Sequence, residues 1–426
     1  MSETKPQLVQ IEKPIYGGAF LARVEGKAVF VPLTLPGEQA NIRVVEDKRS
    51  YAIAEAEEIQ SPAVERVAPG CRHFGMCGGC QYQHADYKAQ LKFKQEILRE
   101  TLDRASVPVS VEIDLLAAEP WTYRNRIRLA LDAAGNIGYR GRRSHAVVPV
   151  AECPIAAPVL LKAASAFRDA RLTAAPSLHP TELSLFCSSD EATVLASIFV
   201  ARPAKVRLDQ LGEEWRTAVP ALAGMELAVE GRKDEPARSI ARWGGLSLTY
   251  MAAGFGYRVD HGSFFQVNRW LVDALVERVT SGRSGKLAWD LFAGVGLFAR
   301  KLAERFDRVV AVESAPPSIE ALKMNLSGTV AEAIRSDALV FLRRQKAQRP
   351  DLIVVDPPRA GVGPEGTAEL VRIASPEIIY VSCDPATLAR DLRTLTASGY
   401  VIHRIALADL FPQTFHLETV VELRRS

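Results

Sequence analysis

The sequence has almost no net charge, few cysteines and no long apolar run. Its 426 residues contain 53 lysines and arginines against 50 aspartates and glutamates, so the overall charge of +3 identifies no class of partner. No apolar run reaches membrane-spanning length, which argues against a membrane partner. Residues 1–6 are polar and lack the apolar core of a signal peptide. We therefore expect a soluble cytoplasmic protein, and a monomer.

Six cysteines in a long cytoplasmic chain are more typical of metal binding or catalysis than of disulfides. The apolar content of 48% and charged content of 24% are ordinary for a globular protein. The length predicts two or three domains.

The chain divides into three predicted units. In residues 1–60, short β-rich runs separated by turn residues predict a small five-stranded β-barrel of the OB-like kind. Residues 61–255 are mixed α+β, and a helix over 86–104 is expected to pack on the catalytic domain. In residues 256–426, strands alternate with helices, which predicts an α/β fold with a parallel, Rossmann-like sheet and a final hairpin.

Cys383 lies between an apolar strand-like run, Glu377 to Val381, and a helical pattern that follows it. Its thiol is therefore expected at the carboxyl edge of the parallel sheet, where open α/β sheets build their sites. A helix N-terminus favours the thiolate, the nucleophilic form of cysteine. Position alone leaves two interpretations open, a nucleophile and a small buried core residue.

The segment Asp290–Phe298 ends one strand and opens a helix, which indicates a nucleotide-cofactor site. Gly294 and Gly296 permit a tight turn and close approach of a ligand to the backbone. Their spacing also fits the dinucleotide pattern. The acid Asp290 before the glycines favours S-adenosylmethionine over NAD, because S-adenosylmethionine has an ammonium group to neutralise and no pyrophosphate.

Three further acids follow consecutive predicted strands of this unit. Glu313 can accept both ribose hydroxyls of an adenosine, and Asp337 is positioned to meet an adenine edge. Asp356 begins an Asp-Pro-Pro-Arg run at the end of the fourth strand, which also favours S-adenosylmethionine.

A cysteine cluster forms the third signal. Cys71, Cys77 and Cys80 lie within ten residues, and Cys153 is the best candidate for a fourth ligand. Four thiolates fit one [4Fe–4S] cluster. Zinc is the alternative, held by the same thiolates or with His73 or His84 replacing one of them. The remaining cysteine, Cys187, lies in an apolar run and is expected in the core.

Taken together, these segments resemble the RNA 5-methyluridine, or uracil-C5, methyltransferases. The resemblance covers nearly the whole chain and is carried by Cys71–Cys80, His261–Asn268, Asp290–Gly296, Asp356–Gly361, Ser382–Arg390 and His416–Thr419. Residues 7–60 resemble a TRAM domain, an RNA-binding barrel. The combination is closest to the iron–sulfur, TRAM-containing branch that acts on 23S ribosomal RNA, with tRNA as the alternative substrate.

The resemblance implies a role for each site residue. Cys383 would be the nucleophile that adds to uracil C6, and Glu418 the base that removes the C5 proton. Burial would raise the pKa of Glu418 toward a useful range, although the sequence around it otherwise indicates a solvated loop. Implied contacts to S-adenosylmethionine are Gln266, Phe292, Gly294, Glu313, Asp337 and Asp356. Implied cluster ligands are Cys71, Cys77, Cys80 and Cys153.

A buried target base must be flipped out of its stack. Phe264 matches an aromatic residue that can stack on such a base. Six arginines are expected to contact RNA phosphates, unless they only form a solvated sheet face: Arg124, Arg126, Arg128, Arg140, Arg142 and Arg143. The first three alternate and would share one face of a strand.

Two other classes of protein are compatible with parts of the sequence. The Asp356-Pro-Pro run resembles the motif of exocyclic-amine methyltransferases, although Arg359 stands where those enzymes have Tyr or Phe. A non-catalytic RNA-binding iron–sulfur protein would need neither Cys383 nor Glu418.

Overall fold

The computed structural model describes residues 6–204, 206–231, 235, 237–346 and 348–426. Residues 1–5 lie outside the described residues. The prediction that the polar N-terminus is not a signal peptide rests mostly on these residues. Among the described helices, none combines the length and the apolar character needed to cross a membrane.

The first sheet has six strands, one more than predicted, because the first β-rich run is divided in two. Its strands are β1 (Gln7–Gln10), β2 (Lys13–Pro14), β3 (Ala19–Val24), β4 (Lys27–Pro32), β5 (Gln39–Asp47) and β6 (Tyr51–Ser61). They are ordered β1-β5-β6-β4-β3-β2 around a core that includes Phe20, Val29 and Val31.

A long helix, α1 (Tyr87–Arg104), follows the first sheet. The Asp86 side chain caps it by accepting a hydrogen bond from the Ala89 backbone N–H at 2.8 Å. The buried side chains of α1 include Phe93, Ile97 and Leu98. After the helix comes a short strand, β7 (Ile113–Leu116).

The second sheet has seven strands with two helices. Its elements are β8 (Arg126–Leu131), β9 (Ile137–Arg140), β10 (Val147–Pro149), α2 (Pro158–Ala174), β11 (Pro180–Cys187), β12 (Val194–Val200), α3 (Leu208–Ala218), β13 (Leu222–Val229) and β14 (Arg238–Gly244). The order is β10-β9-β8-β11-β12-β13-β14. Both helices pack on one face of this sheet, where Cys187 is buried in the core as predicted.

A two-stranded hairpin, β15 (Ser247–Ala252) and β16 (Phe255–Asp260), leads to the third sheet. The elements of that layer are α4 (Val272–Thr280), β17 (Gly285–Leu291), α5 (Leu297–Leu302), β18 (Phe306–Glu313), α6 (Pro316–Asn325), β19 (Ala331–Arg335), α7 (Ala338–Arg344), β20 (Leu352–Val355), α8 (Gly363–Ile373), β21 (Glu377–Ser382), α9 (Pro385–Ala397), β22 (Tyr400–Ala408) and β23 (Glu418–Arg425).

The third sheet has the order β19-β18-β17-β20-β21-β23-β22-β7. The strands β17 to β21 pair in parallel, and β23 is inserted antiparallel between β21 and β22, so the predicted final hairpin is confirmed. Apolar side chains cover both faces, as a sheet with helices on each side requires.

The region before residue 256 contributes directly to this third sheet. Strand β7 pairs in parallel with β22, matching Ile113 with Ile405. Helix α1 packs against α9, as predicted. The third sheet is therefore completed by elements from the middle of the chain.

Candidate active site

Cys383 and Glu418 meet at the carboxyl edge of the third sheet. Strand β21 ends at Ser382, which pairs with Thr419 of the antiparallel strand β23. Cys383 follows the last residue of β21, and Glu418 is the first residue of β23, so both residues adjoin this final pair. The charge of Glu418 raises the pKa of the Cys383 thiol, as expected for side chains that lie close together. The fold therefore brings together the two residues that the sequence assigned to catalysis.

Burial dominates the electrostatics of this pair. Glu418 is only 4% exposed. Its pKa is raised well above the ordinary value by burial and by the nearby charge of Asp356. Burial also raises the pKa of Asp356, to about 7. The interpretation of Glu418 as a solvated loop carboxylate is wrong, because this residue begins a buried strand.

The expectation that a helix N-terminus would favour the Cys383 thiolate is also wrong for the protein without ligands. The side chain of Asp384 accepts the first free N–H groups of α9, from Ala386 at 3.1 Å and Thr387 at 3.0 Å. Burial, followed by the charges of Glu418 and Asp356, raises the pKa of the Cys383 thiol to about 11.

Arg359 is the cation that opposes this shift in the pKa of Cys383. Its Nη2 atom lies 3.4 Å from Nδ1 of His416. Burial and the Arg359 charge lower the pKa of His416 to about 4, so the imidazole is neutral at pH 7. Arg359 was noted in the sequence only as a departure from another motif.

The glycine turn after β17 is shaped to receive a ligand. Phe292, Gly294 and Gly296 have φ angles of +62°, +56° and +92°. A Cβ atom on Gly296 would lie 2.7 Å from Leu322 Cδ1, so this position requires glycine. No atom lies within 4 Å of a Cβ built on Gly294. That open space leaves the backbone accessible, as predicted.

The predicted acids Glu313 and Asp337 lie in different surroundings. Glu313 Oε2 accepts a hydrogen bond from the Gly294 backbone N–H at 2.9 Å. Asp337 is exposed and caps α7, with Oδ1 accepting from the Val340 N–H at 3.0 Å.

Asp290 is fully buried beside the same turn. Its Oδ2 accepts the Ala299 N–H at 2.8 Å, and its Oδ1 has no partner among the described residues. Burial raises the pKa of Asp290 to about 8, and the charges of Asp356 and Glu313 add to the effect. A bound cation would relieve this concentration of carboxylates.

The loop between β16 and α4 carries the next two predicted residues. Phe264 is 58% exposed, which leaves its ring free to stack on another group, whereas Gln266 is buried. The loop is anchored to the second sheet, because Asn125 Nδ2 donates to the Gln266 carbonyl at 2.9 Å and Arg126 Nη1 to the Ser263 carbonyl at 2.7 Å.

The first three predicted arginines lie along one cavity. Arg126 and Arg128 alternate on β8, while Arg124 precedes that strand and contacts Tyr123 and Phe411. All three arginines line a space of about 330 Å³. The three arginines therefore border one space, and Arg124 lies outside the strand on which the sequence placed it.

The other three arginines are at the β9–β10 hairpin and form ion pairs within the protein. Arg142 reaches Glu55 at 3.5 Å and Arg143 reaches Glu46 at 3.0 Å, both in the first sheet. Arg140 lies 3.7 Å from Glu182. Ion pairs of this exposed kind contribute little stability, so the guanidinium groups can be transferred to phosphates at low cost.

All four predicted thiols line another cavity, of about 320 Å³. They are Cys71, Cys77, Cys80 and Cys153. Burial raises the pKa of Cys80 to about 12. His73 also lines this cavity, whereas His84 is buried against the first sheet with Nε2 3.0 Å from the Thr34 carbonyl. His84 is not among the residues that line the cysteine cavity, so it is no longer a candidate ligand.

Within the ranges that the structure describes, no three His, Cys, Asp or Glu side chains are gathered in position to hold a metal ion.

The cysteine loop also supports the active site. The Gly78 N–H donates to the Arg140 carbonyl at 3.0 Å, while the N–H groups of Gln81 and Tyr82 donate to the Gln413 carbonyl at 2.9 and 3.0 Å. Gln413 belongs to the segment that leads into Glu418. The loop at residues 71–82 thus contacts both the β9–β10 hairpin and the segment that leads into Glu418.

Sequence reasoning missed Tyr16, which reaches the active site from the first sheet. Its ring packs edge-on against Phe415 at 5.4 Å. Burial, then the charge of Asp384, raises the pKa of Tyr16 to about 12. The local sequence indicates only a turn at this position and gives no sign of this contact.

A fully buried ion pair was also missed. Lys94 Nζ lies 2.6 Å from Asp409 Oδ1 and donates to the Phe411 carbonyl at 3.0 Å. Lys94 occupies a position in the apolar stripe of α1, between Leu91 and Leu98. A lysine in such a stripe is the sequence feature that could have indicated a buried charge. The pair holds the segment before Glu418 against the helix.

Comparisons with known proteins agree with this geometry. Residues 3–56 match the TRAM domain family, and residues 210–426 match the family described as tRNA (Uracil-5-)-methyltransferase. The solved structure of Pyrococcus abyssi tRNA (uracil-54, C5)-methyltransferase with S-adenosyl-L-homocysteine superposes with a TM-score of 0.78 at 24% identity. That alignment covers 98% of this chain and 100% of the other, and it shows that the fold is shared.

Full-length relatives are also similar in sequence. An uncharacterised RNA methyltransferase from Streptomyces avermitilis is 35% identical over 97% of both chains. The 23S rRNA (uracil(1939)-C(5))-methyltransferase RlmD of Halomonas elongata is 32% identical over 99% of this chain and 90% of its own length.

The fold and the site thus define an α/β methyltransferase with an N-terminal TRAM domain. The chain belongs to the RNA (uracil-C5)-methyltransferase family, which confirms the resemblance found in the sequence.

Proposed function

We propose that this enzyme methylates C5 of a uridine in 23S ribosomal RNA, using S-adenosylmethionine. The observation that carries the proposal is the pairing of β21 with β23, which brings the end of one strand, before Cys383, beside the start of the other, at Glu418. The choice of 23S RNA is supported by the relative named for uracil 1939. Transfer RNA is the second candidate, because the family description and the Pyrococcus abyssi structure both name it.

The two residues act at opposite ends of the reaction. Uracil C5 is a weak nucleophile, so the Cys383 thiolate first forms a bond to C6 and places negative charge on C5 and O4. C5 then takes the methyl group. Glu418 removes the C5 proton, the C5–C6 double bond re-forms, and the thiolate leaves. The raised pKa of Glu418 suits a general base that must accept a proton near neutral pH.

S-adenosylmethionine supplies an electrophilic methyl group on a sulfonium when bound. The residues that would hold it are Gln266, Phe292, Gly294, Glu313, Asp337 and Asp356. Their fit is supported by the open space at Gly294 and by the buried carboxylates nearby, which suit a cationic ligand. The unpartnered Asp290 Oδ1 points to the same chemistry.

RNA is held outside this pocket. Phe264 offers a stacking surface to the flipped uridine, since its ring is exposed beside the donor site. The arginines of β8 and of the β9–β10 hairpin neutralise phosphates. The TRAM domain contributes Tyr16 to the same cleft.

The cysteine cavity is proposed to hold a [4Fe–4S] cluster. The proposal is supported by the four thiols that line this one cavity, and zinc held by the same thiolates is the alternative. The reaction requires no redox step, so we assign the cluster to folding the central region and shaping the RNA surface. Protein purified anaerobically should contain about four irons per chain, and a cluster-free protein that folds and binds RNA normally would refute the structural role.

The chain is further proposed to act as a cytoplasmic monomer of three units, residues 1–60, 61–255 and 256–426. The separate first and second sheets support this division, while β7 and α1 tie the second unit to the third.

One experiment tests the reaction and the substrate together. The anaerobically purified protein is incubated with methyl-labelled S-adenosylmethionine and either unmodified 23S transcript or tRNA, and the digested RNA is analysed for labelled nucleosides. The expected product is 5-methyluridine from 23S RNA, absent with Cys383→Ala. Product from tRNA alone would change the substrate, and methylated adenosine or cytidine would overturn the mechanism.

A further inference from the structure

The 330 Å³ cavity lined by the β8 arginines lies outside the catalytic pocket. One wall is the open face of the second sheet, with Arg126 and Arg128 from β8 and side chains from β11 and β12. The facing wall is the start of the loop that carries Phe264, including His261 and Gly262. Its volume is at the small end of the range for ligand pockets, about 300–1,000 Å³.

Two guanidinium groups in this cavity lie against aromatic rings. The Arg126 Cζ atom is 4.3 Å from the ring centroid of Phe186, and the Arg128 Cζ atom is 4.9 Å from that of Phe199. A planar guanidinium supported on one face by a ring can accept a nucleobase on its other face. Sheet-face platforms of this kind suit unpaired bases.

Arg126 has hydrogen-bonding capacity that the protein does not use. Its Nη1 donates to the Ser263 carbonyl at 2.7 Å, but its buried Nε has no partner among the described residues. Burial lowers the pKa of Arg126 to about 10, and no neighbouring acid raises it again.

The acids described close to this cavity already have cationic partners, including Glu226, which lies 3.1 Å from Arg242. Asp260 is paired with Arg258 at 2.6 Å, and Glu182 is paired with Arg128. The charge of Arg126 is therefore available to a ligand. Polar edges come from Ser184 and from Ser197, whose Oγ lies 3.2 Å from His261 Nδ1.

We propose that this cavity binds a second unpaired nucleotide of the RNA, next to the target uridine, with its base on the Arg126 plane. The inference rests on the proposed function and extends it to a site that reads the sequence context of the target. It follows from the position of the cavity, because Phe264, which faces the target base, is two residues from Gly262 in the cavity wall. An isolated phosphate would not need guanidinium groups that are supported by aromatic rings, and it would not need a cavity of this size.

The test is a double-mutant cycle between the protein and the RNA. A 23S fragment containing uridine 1939 is made with a single abasic nucleotide at each unpaired position beside the target. Its affinity is measured by fluorescence anisotropy with S-adenosylhomocysteine present, for the wild type, Arg126→Met, Arg126→Lys and Ser184→Phe. Ser184→Phe fills the cavity and keeps the charge, and Arg168→Met on the exposed surface of α2 is the control.

One abasic position should weaken wild-type binding by about tenfold, as expected for loss of one stacked base. The same abasic RNA should bind Arg126→Met and Ser184→Phe within about twofold of the intact RNA, because those variants have already lost the contact. Arg126→Lys should resemble Arg126→Met, since lysine keeps the charge without the plane.

One contrary outcome is that Arg126→Met binds every RNA more weakly by the same factor while Ser184→Phe binds every RNA with wild-type affinity. That result would show that Arg126 contacts a phosphate, and it would overturn the inference. Full affinity in both variants would overturn it as well. Methyl transfer by the wild type to the intact fragment is measured in parallel. If transfer occurs without the coupling, only this inference fails; if no uridine in any RNA is methylated, the proposed function fails and the inference with it.

Discussion

The carboxyl edge of the third sheet and the open face of the second sheet carry titratable side chains of opposite kind, acids at the edge and arginines on the face. The edge collects buried carboxylates, Asp290, Asp356 and Glu418, whose pKa values are all raised by burial. The open face presents Arg126 and Arg128 on phenylalanine rings. The difference indicates a division of labour, with the edge suited to a cationic methyl donor and the face to a polyanion. The loop bearing Phe264 lies between them.

If that division is correct, changes at the edge should alter the chemical step and leave RNA affinity intact. Cys383→Ala removes the atom that activates uracil and should lower methyl transfer by at least about 10⁴-fold. RNA binding should change by less than about twofold. Cys187→Ala, a buried core cysteine, is the matched control and should keep near-normal kcat at the cost of some stability.

Glu418→Gln should reduce turnover by about 10³-fold, because the C5 proton can no longer be removed. Addition of Cys383 and methyl transfer precede that step, so a covalent protein–RNA adduct should accumulate. The adduct is detected as a band of reduced mobility on a denaturing gel. The double variant Cys383→Ala/Glu418→Gln should form none, and a Glu418→Gln enzyme that turns over normally would assign the base elsewhere.

The pH dependence of Cys383 alkylation measures how strongly the edge disfavours a further negative charge. The thiolate is the reactive form and appears above the thiol pKa of about 11. The rate of iodoacetamide labelling should therefore rise about tenfold per pH unit between pH 7 and 10. At pH 7 it should be about a hundredfold slower than for an ordinary thiol. Labelling is followed by peptide mass spectrometry.

Glu418→Gln should move this profile to lower pH, because it removes the charge that most raises the thiol pKa after burial. A wild-type profile that levels off near pH 9 would contradict the electrostatic description of the edge.

Changes at the arginines should have the smallest effects and the opposite signature. Arg140→Met should weaken RNA binding a few-fold and lower the slope of log affinity against log salt by about 1. Donor binding should not change. Arg168→Met is again the control, since its exposed partner Asp169 lies next to it in α2. An unchanged salt slope for Arg140→Met would remove this hairpin from the RNA surface.

The sequence was most informative where structure is set by local pattern. In the third sheet, β21 (Glu377–Ser382) lies where the apolar run Glu377 to Val381 predicts a strand, because that run is followed directly by a helical pattern. Cys383, Glu313 and Asp356 were located by their position after such strands. The positions of these residues in the fold are set by their neighbours in the chain.

What the sequence did not reveal depends on distant partners. The strand β7 has four residues, one of them Asp114, and pairs with a strand nearly three hundred positions away. Tyr16 reaches Asp384 from another sheet, and Glu418 is buried only because β23 is inserted between two strands. The pKa of Cys383 is raised first by burial and then by the charges of Glu418, in β23, and Asp356, after β20, which a general rule about helix termini does not include.

The pairing of β7 with β22 limits how this enzyme can be taken apart. A fragment starting at residue 256 would leave β22 as an open edge, with unpaired N–H and C=O groups beside apolar residues such as Ile405 and Leu407. Such an edge is a template for strand addition by other chains. The catalytic unit is therefore a poor module for transplantation into other scaffolds, and a minimal soluble enzyme must keep the strand at 113–116.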